Sequence, residues 1–359
     1  MRRTAALILG GGPAGSAAAI TLARAGIAAE LFERRSGPHD VVCGGFLGWD
    51  ALPTLARLGI DAAALGARPI HRLRLVSRRR SVETALPRAA AGLSRRTLDE
   101  ALLGAAEAAG AKVSRGRTVR SVAGCTARMD DGEDIEASAM VIATGKYELR
   151  GAARPTNFAA EAVGLRSAIA PSPGLTATLA GVIELHLFDG GYAGLLLQED
   201  GRANLCLSAS RARMKTAGGA EQLIAALNEE LPAFRTRLQE GEAGEWSAVA
   251  GVPYGWRATG SEPGLYRVGD QAAVIASLAG DGIAIALLSG IAAGEAVAAG
   301  RPADEFQKRL SRRVARPVAI AERLRWAAER ERPREALLGL LGIAPGIAGL
   351  GARLTRVGS

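Results

Sequence analysis

The stretch LILGGGPAGSAAA, residues 7–19, decides the fold class that this sequence predicts. Residues 5–9 form a short apolar run typical of a buried strand, and an alanine-rich helical pattern follows the glycines. Gly10, Gly12 and Gly15 stand between them at G-x-G-x-x-G spacing. In such a turn the first glycine permits a tight bend, the second lets the backbone approach a pyrophosphate, and the third lets the helix pack on the strand. The stretch therefore predicts a dinucleotide-binding turn.

A second apolar run, residues 28–32, follows the helix and ends in Glu33. The acceptor for a ribose hydroxyl is expected about 20 residues after the glycines. A carboxylate there repels the 2′-phosphate of NADP, so Glu33 favours FAD or NAD. The alternative is a secretory signal led by Arg2 and Arg3. A secretory core needs about 7–15 apolar residues, and three consecutive glycines would break its helix, so we favour the dinucleotide.

Composition predicts a globular protein without a metal centre. Apolar residues make up 48% and charged residues 23% of the 359 residues. Cys43, Cys125 and Cys206 match neither a zinc motif nor a disulfide framework, and the three histidines form no cluster in the sequence. We therefore expect a reduced, cytoplasmic setting.

The net charge of +9 is concentrated at the C-terminus. Residues 301–359 contain 13 basic and 6 acidic residues, a net charge of +7, which leaves +2 for residues 1–300. One interpretation is a solvated basic helix face. The other is attraction to a membrane surface, an acyl-carrier protein or an acidic substrate. We expect no nucleic acid partner, because neither a known module nor an alternation of aromatic and basic residues is visible.

The order of patterns predicts an α/β domain with a β-rich insertion. A hairpin is expected at Asp131-Gly132, followed by a buried strand over residues 137–145. Residues 151–264 contain strand-like runs separated by Gly, Asp and Asn turns. The last sixty residues are predicted to be helices that are broken at Pro317, Pro333 and Pro345.

A second glycine-bearing turn lies far along the chain. An apolar strand runs into Gly269-Asp270, and a loop then reaches Gly280-Asp281-Gly282, where a helix begins. Amides at that helix N-terminus would stabilise negative charge on a reduced ring, and Asp270 could accept hydrogen bonds from ribityl hydroxyls. The alternative is an ordinary strand–loop–helix connection.

In this order the motifs resemble those of the geranylgeranyl reductase-like branch of the p-hydroxybenzoate hydroxylase superfamily. They are G-x-G-P-A-G with Glu33, CGG near residue 44, SRRTLD at 94–99, ATG at 143–145 and GD…GDGI…A…SG near the C-terminus. The resemblance implies FAD and a Rossmann-type, discontinuous FAD-binding domain of residues 1–75, 93–150 and 265–300. It implies an inserted β-sheet substrate domain over the isoalloxazine, residues 76–92 and 151–264, followed by a helical C-terminal segment, residues 301–359.

The resemblance also assigns roles to individual positions. The three glycines of the first turn would hold the pyrophosphate, Glu33 would bind the adenosine ribose, and Arg95 would lie against the cofactor. Asp270 would bind the ribityl or pyrophosphate region, and residues 280–283 would face the flavin pyrimidine edge. The cofactor-binding residues implied are Gly10, Gly12, Pro13, Ala14, Gly15, Glu33, Arg34, Cys43, Gly44, Arg95, Gly269, Asp270, Gly280, Gly282 and Ile283.

The chemistry stays open between three activities. The first is reduction of an alkene in a prenyl, lipid or polyketide-like substrate by hydride transfer. The second is flavin-dependent hydroxylation of an aromatic or polyketide substrate, and the third is electron transfer without an organic substrate. Residues 143–145 replace the Asp-Gly pair often found in the aromatic hydroxylases, which favours the reductase branch. No second G-x-G-x-x-G appears, so NADH or NADPH would dock only transiently as the electron donor.

Four further residues are weighed for the substrate side. Cys43 is the first catalytic candidate, because members of the reductase branch carry a cysteine in this loop; the alternative is a small packing residue. Tyr192 and Tyr254 either line a small hydrophobic or aromatic substrate or belong to the core. His186, alone on an apolar strand, is interpreted as structural rather than as a base.

Overall fold

The computed structural model describes residues 2–154, 162–344 and 346–357. The strands are β1 (Arg2–Leu9), β2 (Ala29–Glu33), β3 (Phe46–Leu47), β4 (Arg68–Val76), β5 (Ser81–Gly92), β6 (Lys112–Arg115), β7 (Val119–Ala123), β8 (Thr126–Met129), β9 (Asp134–Ile142), β10 (Ala162–Pro171), β11 (Val182–Phe188), β12 (Gly191–Leu197), β13 (Ala203–Ser210), β14 (Gly241–Ala243), β15 (Ser247–Val252) and β16 (Leu265–Arg267). The helices are α1 (Pro13–Arg24), α2 (Ala51–Arg57), α3 (Arg95–Ala108), α4 (Pro173–Leu179), α5 (Arg211–Ala217), α6 (Ala220–Glu230), α7 (Pro232–Gln239), α8 (Gly282–Ala298), α9 (Ala303–Ala328), α10 (Glu331–Ile343) and α11 (Gly346–Leu354).

The first sheet has the strand order β6-β2-β1-β9-β8-β7, and β16 also pairs with β9. Strands β6, β2, β1, β9 and β16 run parallel. Strand β1 is central, and its second half is fully apolar and buried, as expected for a parallel strand covered on both faces. Strand β8 joins β9 antiparallel through Gly132 at a φ of +87°, which confirms the predicted hairpin. This sheet is the predicted Rossmann-type core.

The second sheet has the strand order β14-β10-β13-β12-β11-β4-β5-β3, and β15 also pairs with β10. Most of its strands come from the segment predicted to be a β-rich insertion. Strands β3 and β4 come instead from residues assigned above to the FAD-binding domain. Successive side chains of β11 alternate between two environments, as the period of a strand requires. Ile183, Leu185 and Leu187 face a large cavity, whereas Glu184 and His186 are buried on the opposite face.

Helices α1 and α8 cross closely because glycines remove the side chains between them. A Cβ on Gly290 would lie 2.1 Å from the Ala14 carbonyl oxygen, and one on Gly294 would lie 2.7 Å from Cβ of Thr21. The contact moves from Ala14 to Thr21 along α1 as it moves from Gly290 to Gly294 along α8. The two helices therefore run in the same direction. Their N-termini therefore lie at the same end of the packed pair.

The C-terminal helices differ from the sequence prediction at one proline. Helix α9 continues through Pro317, so the predicted break there is wrong. Burial of Pro317 with Val314 and Val318 outweighs the backbone hydrogen bond that proline removes. Pro333 lies in the first turn of α10, where its missing N–H costs little, and Pro345 lies outside the described residues. No single described helix is long and apolar enough to cross a membrane; α10 and α11 meet that test only as a bent pair.

Candidate FAD and substrate site

The first glycine turn brings the N-terminus of α1 to the end of the parallel sheet. Gly10 has a φ of +111°, and a Cβ there would lie 2.5 Å from the Ala143 carbonyl oxygen. A Cβ on Gly15 would lie 1.9 Å from the Gly10 carbonyl oxygen, so both positions require glycine. No described side chain caps the helix at Gly12, which leaves its first amides available to an anion. Arg95 Nη2 approaches this point, 3.2 Å from where a Cβ of Gly12 would be.

Glu33 and Arg34 border a cavity of about 240 Å³ beside this turn. The Glu33 carboxylate accepts hydrogen bonds from the amides of Gly11 and Arg35, both at 2.8 Å. The Arg34 guanidinium lies 3.9 Å from the ring centre of Tyr147, which also lines the cavity. A carboxylate oriented at the end of β2 and a flat cation–aromatic pair suit a ribose and a purine respectively.

The second glycine turn forms the opposite wall of the site. Asp270, three residues after the end of β16, lies 3.2 Å from Lys146 Nζ. The Asp270 carboxylate raises the pKa of Lys146, so the lysine stays charged. Helix α8 begins at Gly282 without a side-chain cap, because the carboxylate of Asp281 contacts Arg356 near the C-terminus instead. A second set of free helix amides therefore faces the site.

Two buried polar residues of the second sheet fix the loop that carries Cys43. Asn204 Nδ2 donates to the carbonyl oxygens of Cys43 (3.1 Å) and Gly44 (2.8 Å). Its Oδ1 accepts a hydrogen bond from Arg166 Nε at 2.7 Å, and Arg166 pairs with Asp40 at 3.1 Å. Since Asn204 is 1% exposed and Arg166 is 8% exposed, these bonds are shielded from water and hold the loop firmly.

A larger cavity of about 530 Å³ adjoins the first, and both linings include Gly12, Arg95, Lys146 and Asp270. The structure thus brings together residues from segments that are widely separated in the sequence. Every cofactor-binding residue named from the sequence lines one of the two cavities, except Gly15, which packs beneath the turn. Their roles toward a cofactor stay predictions.

The far part of the larger cavity is apolar. Its wall consists mainly of leucine and isoleucine side chains from the second sheet and the C-terminal helices: Leu73, Leu75, Leu86, Ile183, Leu185, Leu187, Leu196, Ile320, Leu324, Leu337, Leu341, Ile347 and Leu350. Cys206 also lines the cavity, and burial raises the pKa of its thiol to about 12, so Cys206 is not a thiolate at neutral pH.

A small group of hydroxyls interrupts this apolar wall. Tyr254 Oη lies 2.8 Å from Ser277 Oγ and 3.2 Å from Ser208 Oγ. Tyr192 is 4% exposed, and its hydroxyl meets no hydrogen-bond partner of normal geometry among the described residues. Burial raises the pKa of Tyr192 well above its ordinary value. Both tyrosines line the cavity, whereas His186 lies on the other face of its strand.

Three site residues, Lys146, Asn204 and Arg166, belong to none of the motifs in the sequence. Lys146 is only one residue beyond the ATG motif, so its place in the site follows from the strand end. Asn204 and Arg166 are polar residues inside apolar strands, and a buried polar residue usually has a specific partner. Their polar character therefore indicates that each has a partner, but it does not identify the partner loop, which lies more than 100 residues away in the sequence.

The residues present fit FAD. Both uncapped helix N-termini, of α1 and α8, face the joined cavities. A Cβ on Gly44 or on Gly282 would meet no atom within 4 Å, so open space lies beside the loop of Cys43 and the start of α8. Amides for a pyrophosphate, an acid for a ribose and room at a second helix terminus are the features that a bound FAD requires.

Comparisons with known proteins agree with this fit. Residues 3–172 match the family described as FAD binding domain. The chain is 27% identical over 347 residues to the menaquinone reductase of Mycolicibacterium smegmatis, covering 90% of this chain and 84% of that protein. It superposes on the flavin-dependent brominase Bmp2 with a TM-score of 0.80, at 16% identity and with 99% and 93% of the two chains covered. A geranylgeranyl bacteriochlorophyll reductase-like protein from Thermoplasma acidophilum gives a TM-score of 0.74, at 20% identity with 97% and 92% covered.

Fold, site and relatives together define a flavoprotein. The chain is an FAD-dependent oxidoreductase, and its residues 3–172 are similar to the FAD binding domain family. Its structural neighbours include both reductase-like proteins and halogenases.

Proposed function

We propose that this flavoprotein adds two hydrogens across a carbon–carbon double bond of an apolar, prenyl-type substrate. The observation that carries the proposal is the shape of the site: an apolar cavity begins at the two helix N-termini that would hold FAD. Its wall offers many aliphatic contacts and few hydroxyls among the described residues. Such a wall suits a hydrocarbon chain better than a polar acid or a sugar.

The cofactor accounts for one of the two hydrogens. Bound FAD in its reduced state supplies a hydride, after accepting two electrons from NADH, NADPH or another reductant. The residues that would hold it are the glycines of the first turn, Glu33, Arg95, Asp270 and the start of α8. Lys146, held by Asp270 at 3.2 Å, adds a fixed positive charge where the two cavities meet.

The protein itself supplies the other hydrogen as a proton. The hydride and the proton end on the two carbons of the double bond, which together gain two electrons. Tyr254 lines the cavity, and the hydroxyls of Ser277 and Ser208 lie within hydrogen-bond distance of its own hydroxyl. A proton that leaves Tyr254 is replaced through these serines. Cys43 lines the same cavity and is the second candidate donor.

The relatives support one substrate class for this proposal. The similar protein of Mycolicibacterium smegmatis carries the name menaquinone reductase, and menaquinone is a naphthoquinone with a prenyl tail. A prenyl tail contains alkenes and fits an aliphatic wall. We therefore propose a prenylated naphthoquinone as the first substrate to test.

To test this, the purified holoenzyme is incubated with NADH or NADPH and with menaquinone in detergent micelles. The extract is then oxidised in air, which returns any quinol to the quinone, and is analysed by mass spectrometry. A quinone carrying two additional hydrogens supports alkene reduction, and a naphthoquinone without a tail should give no such product. Recovery of the starting mass alone, or a product carrying an added oxygen, would contradict the proposal.

A further inference from the structure

The bend between the last two helices exposes an aliphatic surface. Leu340 and Ile343 occupy one face of α10 and are 48% and 86% exposed. Ile347 and Leu350 occupy one face of α11 and are 39% and 56% exposed. We call these four residues the C-terminal apolar patch. Large aliphatic side chains clustered on a surface mark an interaction site rather than a solvated face.

A cleft beside α11 is lined by Arg57, Arg88, Arg313 and Arg353, which we call the arginine cleft. Arg356, Asp50 and Glu295 also line it, so five positive charges outnumber two negative ones. The first four arginines are exposed, and none of them forms an ion pair with another residue in the described part of the chain. Arg353 follows Leu350 by three residues on the same helix, so the cleft and the patch are neighbours.

We propose that the C-terminal apolar patch and the arginine cleft dock this protein on an anionic lipid bilayer. Aliphatic side chains at a helix bend can enter the boundary between headgroups and acyl chains, while arginines contact the lipid phosphates. The net charge of +7 over residues 301–359 adds attraction to such a surface. An acidic protein would satisfy the arginines but not the almost fully exposed Ile343. A second copy of this chain would bring like charges together.

The docking surface meets the mouth of the large cavity. Ile347 and Leu350 belong to the patch and also line that cavity. A bilayer in contact with the patch would therefore give an apolar substrate a path into the cavity without crossing water. This consequence rests on the proposed function, whereas the docking itself does not.

The test is flotation of the full-length holoenzyme with lipid vesicles, which requires no activity measurement. We expect flotation with vesicles of phosphatidylglycerol and phosphatidylcholine, less with phosphatidylcholine alone, and less at high salt. Ile343→Asp should lower binding about tenfold or more. Replacing Arg88 or Arg353 by Gln should each lower binding about fivefold and weaken the salt dependence. Neither Ile343 nor Arg88 lines the FAD or substrate cavity.

Two matched controls report on exposed residues outside the docking surface. Trp246→Asp changes an exposed side chain beside β15, and Arg120→Gln removes an exposed arginine on β7; both should float like the parent protein. Bound FAD and melting temperature show that each variant is folded. Failure of the parent protein to float with anionic vesicles would overturn the proposal. So would stable dimers that Ile343→Asp dissociates without any vesicle binding, or binding to an acidic carrier protein instead of vesicles.

Discussion

At the scale of single residues, we propose that side chains of the larger cavity supply the proton, and Cys43 is the first to test. Its loop is held by Asn204, so a substitution at the thiol should leave the loop in place. We expect Cys43→Ser to keep FAD bound and to slow turnover, with a fall in kcat of about 10²-fold where Cys43 rather than Tyr254 donates the proton. Cys125→Ser, at a thiol that lines neither cavity, should retain full turnover. Unchanged turnover of Cys43→Ser would remove Cys43 from the mechanism.

Tyr254 is the second residue-scale test. The variant Tyr254→Phe keeps the ring but removes the hydroxyl that Ser277 and Ser208 bond. The expected result is a fall of about 10²-fold in kcat, with little change in KM or in FAD content, because only proton supply is lost. Tyr147→Phe, which keeps the ring beside Arg34, serves as the control. Equal turnover in the two variants would assign the proton to another group.

The sequence predicts some of these residues and not others for a physical reason. The glycines and Glu33 belong to one local strand–turn–helix–strand unit, so their spacing is sufficient. Lys146 pairs with Asp270, and Asn204 bonds the loop of Cys43, across more than 100 residues in each case. Only the packing of the two sheets defines such pairs. Local patterns contain no information about them.

The packing of whole elements depends on the close approach of α1 and α8. Gly290→Ala places a methyl group 2.1 Å from a backbone oxygen of α1, which cannot move aside cheaply. Overpacking costs about 1–3 kcal/mol, more than the ~0.5–1 kcal/mol that alanine gains in a helix. Gly104→Ala in α3 meets open space and should stabilise by about 0.5–1 kcal/mol. Denaturant unfolding measures the free energy of unfolding of both variants. Equal values for the two would contradict the close packing of α1 against α8.

Strand β11 carries a buried charge whose effect depends on pH. Burial alone would raise the pKa of Glu184, but hydrogen bonds from His186, Arg237 and Arg74 lower it well below its ordinary value. The resulting stabilisation is present above the unfolded pKa of about 4.5 and is lost as the pH falls below it. Glu184→Gln should lower the free energy of unfolding by about 3–5 kcal/mol at pH 7. It should also make the free energy of unfolding less dependent on pH in the acid range. An unchanged pH dependence in the acid range would show that Glu184 is not its cause.

Element prediction succeeds where the pattern is local and fails where packing decides. The hairpin at Gly132 and the helix from Gly282 follow from turn glycines and apolar runs. Pro317 does not break α9, because neighbouring side chains are buried in the core on either side of it. Membership of β4 in the second sheet follows from pairing with β11, a partner more than 100 residues away.

At the scale of the whole molecule, two sheets and the C-terminal helices enclose one continuous site. The FAD-binding sheet supplies the glycine turns, the second sheet supplies the apolar wall, and α9 to α11 complete the cavity. The end of the described chain is fixed to this arrangement, since Arg356 contacts Asp281 at the start of α8 and stacks 4.1 Å from the ring centre of Trp49. The proposed FAD and substrate sites would therefore meet Arg356 at the N-terminus of α8.

The most direct test of the proposed alkene reduction is a single turnover without oxygen. The holoenzyme is reduced anaerobically by one equivalent of dithionite, excess reductant is removed, and menaquinone is added. We expect the spectrum of oxidised FAD to return before air is admitted. After later exposure to air, we expect an amount of quinone equal to the FAD reoxidised to carry two additional hydrogens. A flavin that stays reduced until oxygen is admitted, or a quinone recovered at its original mass, would contradict alkene reduction.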